Sequence, residues 1–267
     1  MKNVFILGSG RSGTSMVAGA LAKAGYFMGE NLVPAREANP KGFFEDIEVN
    51  MINEDLLAQV VPARLVVMGK EFFRSRPLEG QRWLACLPLE TKVPCPPQLE
   101  ERIRVVTRSH AYCFKDPRFC YTLPTWKPFL ENTVFVCVFR DPASTALSIV
   151  KECKEATYLH TLAMTFGRAL KVWQLMYSHV LRIHRHEGDW LFLHYDQIVG
   201  RDGLRRLGSF VEAPVDQSFP EASLRRSVSI RSVPRKIWQI YVELCELARY
   251  EQYRERQGQI RGHSLNS

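Results

Sequence analysis

Gly8-Ser-Gly-Arg-Ser-Gly-Thr-Ser15 follows the apolar run Val4–Leu7 and precedes a helix-like stretch of small and apolar residues. It has the glycine spacing of a phosphate-binding loop, but Thr14 stands where a nucleoside triphosphatase carries lysine after the second glycine. A strand, a glycine turn and a helix start gather backbone N–H groups and the positive end of a helix dipole around one anion. Gly10 and Gly13 allow the close approach, Ser12, Thr14 and Ser15 add hydroxyls, and Arg11 supplies a full positive charge. The plainer alternative is a tight strand-to-helix turn.

A second constellation is Val134–Lys151, VFVCVFRDPASTALSIVK. Arg140 lies just past a strand end, where open α/β sheets bind ligands, and Ser148 lies on the following helix. A guanidinium fork with a short hydroxyl donor suits a terminal phosphate monoester. Arg140-Asp141 reads equally well as a helix-capping ion pair. Two anion sites on neighbouring strand ends suit a nucleotide phosphorylated at two places.

These two motifs resemble those of the sulfotransferases that use 3'-phosphoadenosine 5'-phosphosulfate (PAPS). The resemblance implies that Arg11, ahead of Ser-Gly-Thr, serves the 5'-phosphosulfate loop and that Arg140 and Ser148 take the 3'-phosphate. Phe114-Lys-Asp-Pro-Arg118 is similar to a Lys-Asp-Pro segment of bacterial and tyrosylprotein members, and Leu191–Asp196 to the strand that ends beside the adenosine, which assigns Tyr195 to the nucleotide. Leu224–Arg231, with Arg226 as its candidate, either folds over the 3'-phosphate, as a basic segment does in some relatives, or is a solvated basic loop. The matching features span the sheet and its binding edges, about half the chain.

Sulfuryl transfer in line requires both reactants to be positioned and the departing phosphate to be steadied. A sulfuryl group bears less charge than a phosphoryl group, so cationic side chains can serve where kinases use magnesium. Arg11 and Lys115 are the candidates, and no metal is expected; the alternative for Lys115 is a surface lysine paired with Asp116. Similar Gly-x-x-Glu segments in bacterial members hold the catalytic glutamate, which makes Glu45 the first choice of base. Its alternative is a first-turn acid favoured by the helix dipole. Glu30, matching the tyrosylprotein enzymes, ranks second, and His110 third.

These residues need a scaffold, and strand and helix signals alternate along the chain. Strands are expected at 3–8, 111–115, 133–139 and 190–195, and helices at 14–24, 45–60 (Ile47, Met51, Leu56 and Leu57 inward), 142–154, 160–186 and 233–256. The alternation implies an α/β fold, a mainly parallel sheet flanked by helices, as one domain over 1–256. Residues 62–97, with six prolines, read as an irregular insertion and 257–267 as a disordered tail. His184 and His186 cannot share a helical face, so a zinc site there is not expected.

The 267 residues carry a net charge of +8, which favours anionic partners without choosing among them. Nucleic acid lacks the interleaved basic and aromatic stripe that would support it. No apolar run reaches the ~20 residues of a membrane helix, and no signal peptide is read before Val4. Seven scattered cysteines without a C-x-x-C pair suggest a reduced, cytoplasmic protein. The reading is a PAPS-dependent sulfotransferase acting on a small-molecule, glycan or lipid acceptor. The alternatives are a P-loop small-molecule kinase and a non-catalytic nucleotide-binding protein; oligomeric state is not readable.

Overall fold

The computed structural model describes residues 1–36, 39–109, 111–219 and 231–253. His110, Arg226 with the rest of 224–230, and the tail from 257 lie outside the described residues.

The sheet is built from β1 (Asn3–Leu7), β4 (Cys113–Lys115), β5 (Thr133–Phe139) and β6 (Trp190–His194), in the order β4-β1-β5-β6 with every pairing parallel. Alternate side chains go to opposite faces. Val4 and Ile6, with Val134, Val136 and Val138, pack against α1 (Thr14–Lys23) and α8 (Asp202–Val211). Phe5 and Leu7, with Phe135, Cys137 and Phe139, meet α4 (Phe119–Trp126), α5 (Pro142–Glu155), α6 (Phe166–His179) and α9 (Arg235–Leu247). Burial on both faces is why these strands read as unbroken apolar runs.

The parallel direction puts the carboxyl ends of β1, β4 and β5 on one edge. The Gly8–Ser15 loop, Lys115 and Arg140 therefore share that edge, although the sequence separates them widely. On that edge α5 begins at Pro142, and the Asp141 side chain accepts from Ser144 N–H at 2.7 Å. Asp141 thus serves as the cap, as the sequence allowed.

Several boundaries differ from expectation. Helix α2 is Ile47–Ala58, capped by Asp46; Leu56 and Leu57 are buried, but Ile47 and Met51 are exposed and face a cleft. Helix α6 begins at Phe166 because Thr165 caps it, and runs into a π turn at Val180–His184. Helix α9 stops at Leu247, before Arg249 takes a left-handed φ of 53°. The stretch 62–97 is more ordered than its prolines suggest. It forms an antiparallel hairpin of β2 (Leu65–Val67) and β3 (Lys70–Phe72), then a 3-10 turn whose Trp83 and Leu84 enter the main core. Helices α3 (Pro97–Val106) and α7 (Tyr195–Val199), together with α4 and α8, were not anticipated.

Candidate active site

A cleft of about 720 Å³ opens at the carboxyl edge of the sheet. Of the residues singled out above, Gly10, Arg11, Gly13, Thr14, Ser15, Glu45, Lys115, Arg140, Ser148 and Tyr195 all line it. Ser12 does not: it is fully buried, with its Oγ 3.0 Å from the Tyr177 hydroxyl and its N–H bonded to Ser9 O at 3.2 Å. Tyr177 also lies 2.8 Å from Val138 O and accepts from Ser9 N–H at 3.1 Å. One buried phenol thus ties the loop to β5, and Ser12 shapes the loop from behind.

The loop glycines are required. Gly13 has φ 95°, a region costly for L side chains, and an added Cβ would come 2.8 Å from the Tyr195 ring. At Gly10 the same atom would meet the Trp83 ring at 2.4 Å. Two aromatic rings therefore wall the loop. Gly13 precedes α1 without a side chain to cap it; Met16 N–H turns back to the Gly13 carbonyl at 3.0 Å, which leaves the helix start at Thr14 and Ser15 to face an anion.

Arg11 leaves the loop toward α5, with its Nε 3.2 Å from Ser148 Oγ and its Nη1 3.4 Å from Glu152 Oε2. Arg140 is buried, and its guanidinium carbon lies 4.5 Å from the centre of the Tyr195 ring, a cation–π contact. The structure therefore brings together a cationic pair, a serine hydroxyl and an aromatic face at the ends of β1, β5 and β6.

The second cationic group is Lys115. Its ammonium contacts Glu45 Oε1, while Asn50 Nδ2 donates to Glu45 Oε2 at 2.9 Å. Lys115 is thus not the surface partner of Asp116. That carboxylate is fully buried, accepting from Arg118 Nη1 at 3.0 Å and Asn53 Nδ2 at 2.9 Å. Burial pushes the Asp116 carboxyl up while the Arg118 charge opposes it. Arg118 completes the floor with a 2.6 Å bond to Glu54. Glu45 is held between Lys115 and α2 on the cleft wall, whereas Glu30 is exposed and outside the lining.

Among the cleft residues that escaped the sequence reading, Trp83, Asn50 and Glu152 bear most directly on the site. Trp83 sits in a stretch whose prolines masked it. Glu152 had a signal that was available, since it follows Ser148 by four, the spacing that puts helical side chains on one face; Asn50 had none, because its partner Glu45 lies outside α2, five positions back. The segment Leu191–His194 lies in β6 and delivers Tyr195 to the cleft.

The model of the sulfotransferase family matches residues 3–217. No curated protein matches the chain. Among solved structures, a sulfotransferase domain from the curacin biosynthetic pathway superposes with a TM-score of 0.51 at 14% identity, over 91% of this chain and 97% of that one. The sulfotransferase domain of the Synechococcus PCC 7002 olefin synthase gives 0.50 at 15%, covering 94% and 97%. Sulfotransferase STF9 from Mycobacterium avium gives 0.50 at 12%, covering 92% and 76%. At such identities the superpositions establish a common α/β fold, and the family assignment comes from the match over 3–217. With the strand-to-helix loop and the cationic sheet edge in place, the chain belongs to the sulfotransferase family.

Proposed function

We propose that the protein transfers a sulfuryl group from PAPS to a hydroxyl or amine of a small-molecule, glycan or lipid acceptor. The observation that carries this reading is the meeting, in one cleft, of the Gly8–Ser15 loop, Arg140 with Ser148, and the Lys115–Glu45 pair. The fit to the donor is chemical. Gly10 and Gly13 let Trp83 and Tyr195 pack directly on the loop, the α1 N-terminus offers N–H groups to the 5' group, and Arg140 with Ser148 suits the 3'-phosphate. Tyr195 presents the aromatic surface for the adenosine.

In this reading Arg11 and Lys115 offset charge on the departing phosphate, and preorganised cations lower a barrier where that charge develops. Glu45 takes the acceptor's proton, worth roughly 10² to 10⁴ in rate for a well-placed base. Lys115 has a carboxylate partner in the free protein, and a donor phosphate would offer it another anion, leaving Glu45 to act as base. The exposed Ile47 and Met51 give the acceptor an apolar wall one helical turn from that carboxylate. Seven free thiols support the proposal of a reducing compartment, the cytosol.

Calorimetry of adenosine 3',5'-bisphosphate in the presence of a chelator tests the donor. Binding is expected without a divalent metal. Tight magnesium-dependent ATP binding, with none for the bisphosphate, would replace this reading by a kinase. Transfer of labelled sulfate from PAPS in an acceptor screen separates an enzyme from a nucleotide-binding protein.

A further inference from the structure

The β2–β3 hairpin projects a run of apolar side chains that the proposed reaction does not use. Every residue from 65 to 73 is exposed, and Leu65, Val66, Val67, Met68, Phe72 and Phe73 are large and apolar. Met68 at the turn is 97% exposed and Val66 61%. The register pairs Leu65 with Phe72, Val66 with Glu71 and Val67 with Lys70. Leu65, Val67, Phe72 and Lys70 therefore share one face, Val66 lies on the other beside Glu71, and Met68 forms the tip. A contiguous apolar surface of this kind marks an interaction site.

The root of the hairpin is fixed. Buried Arg64 donates to Arg76 O at 2.7 Å, to Glu71 Oε2 at 3.1 Å and to Gln81 Oε1 at 3.1 Å. Gln81 in turn donates to the carbonyl of Tyr158, a residue of the cleft wall. The ribbon is thus anchored beside the cleft with its tip directed away from the core. Its acid, Glu71, is already neutralised by Arg64.

Charge selects the occupant. Residues 64–76 hold four basic side chains, Arg64, Lys70, Arg74 and Arg76, against the single acid Glu71. A second copy seated on this ribbon would set two like-charged stretches together. A protein groove would cover one face, yet apolar groups stand on both faces and at the tip. An anionic lipid surface satisfies both facts, because acyl chains accept apolar groups from every side while headgroups take the cations.

We propose that the β2–β3 hairpin docks the protein on an anionic membrane by its tip, inserting Met68 and Val67, with Lys70, the cross-strand neighbour of Val67, reaching the headgroups and Val66 and Phe72 following at the interface. This surface lies outside the donor site, and the inference stands whether or not PAPS is the donor.

The test is co-sedimentation of the full chain with phosphatidylcholine vesicles, with and without phosphatidylserine. Binding is expected only with phosphatidylserine, and replacing Val66, Val67 and Met68 together by serine should weaken it roughly tenfold or more. Those residues are exposed and uncharged, so the net charge is unchanged; a thermal melt checks the fold. In a Met68→Trp variant, emission should shift to the blue on anionic vesicles and be quenched by brominated lipid. Three results overturn the proposal: no vesicle binding, salt-sensitive binding that ignores the serine changes and leaves the emission of the Met68→Trp variant unshifted, or a dimer that the serine changes abolish in a chain that does not bind vesicles.

Discussion

Arg11 Nε lies 3.2 Å from Ser148 Oγ, so a residue of the loop after β1 meets a residue of α5 across 137 positions of sequence. The two groups assigned to different ends of one nucleotide are adjacent in the free protein, with Glu152 on the far side of the guanidinium. In the proposed donor site this carboxylate would compete with an anionic ligand for Arg11.

Glu152→Gln removes that competitor and keeps the side-chain volume. The bisphosphate should bind roughly three- to tenfold more tightly, in keeping with the modest worth of a partly exposed ion pair. Calorimetry reads this directly, and a destabilised fold would not produce a gain. Unchanged or weaker binding would show that Glu152 holds Arg11 in its working position.

Arg140 should distinguish nucleotides by their 3' substituent. Its replacement by alanine is expected to cost about 2 to 4 kcal/mol of PAPS binding, the range for losing one side of a buried charge pair. Adenosine 5'-phosphosulfate, which lacks the 3'-phosphate, should scarcely notice, whereas Arg11→Ala should weaken both. Equal losses for the two ligands in a folded Arg140→Ala protein would make Arg140 a structural partner of Tyr195.

Glu45→Gln retains bonding to Asn50 and loses the ability to accept a proton. Turnover should fall by roughly 10² or more with little change in PAPS affinity. Activity retained in this variant and lost in Glu30→Gln would move the base to Glu30 and displace the acceptor accordingly.

Acid should destabilise the fold through His184. Burial holds its pKa down to about 3 from an ordinary 6.5, and its Nε2 lies 2.9 Å from the Cys120 carbonyl, so the ring is neutral with its proton on Nε2. The unfolded chain takes a proton below about 6.5 and the folded one does not, so stability is fully present above that pH and drains as pH falls toward 3. From pH 7.5 to 5.5 His184 should cost about 1.4 kcal/mol, and His179, also lowered by burial, should add to it. Urea unfolding at the two pH values checks this: the loss should shrink in His184→Gln, and no loss in the unaltered protein would contradict the assignment.

The legible parts were those in which one physical demand dominates. Strands β1 and β5 had to be apolar on both faces, and the loop needed glycine, so both stood out in sequence. Helix α4 did not, because Pro124 sits within it and nearly every one of its residues is buried, leaving no polar face to reveal a helical period. Ile47 and Met51 show the converse: apolar character normally signals the core, but here it lines a cleft. Trp83 lies 73 residues beyond Gly10, and no periodicity connects them. The Lys115–Glu45 contact likewise joins the end of β4 to the loop before α2, a meeting that depends on the tertiary fold.

The packing of Trp83 on Gly10 has a bearing on the order of folding. Closing that contact, and the bond from Ser9 to Tyr177, means bringing together segments 73 and 168 residues apart, a cost in chain entropy met only once the sheet and the neighbouring helices have assembled. The Gly8–Ser15 loop is therefore expected to acquire its shape as one of the last parts of the molecule. Binding of the proposed nucleotide is in turn expected to appear only with complete folding, and an intermediate with its parallel sheet already formed should be blind to the ligand.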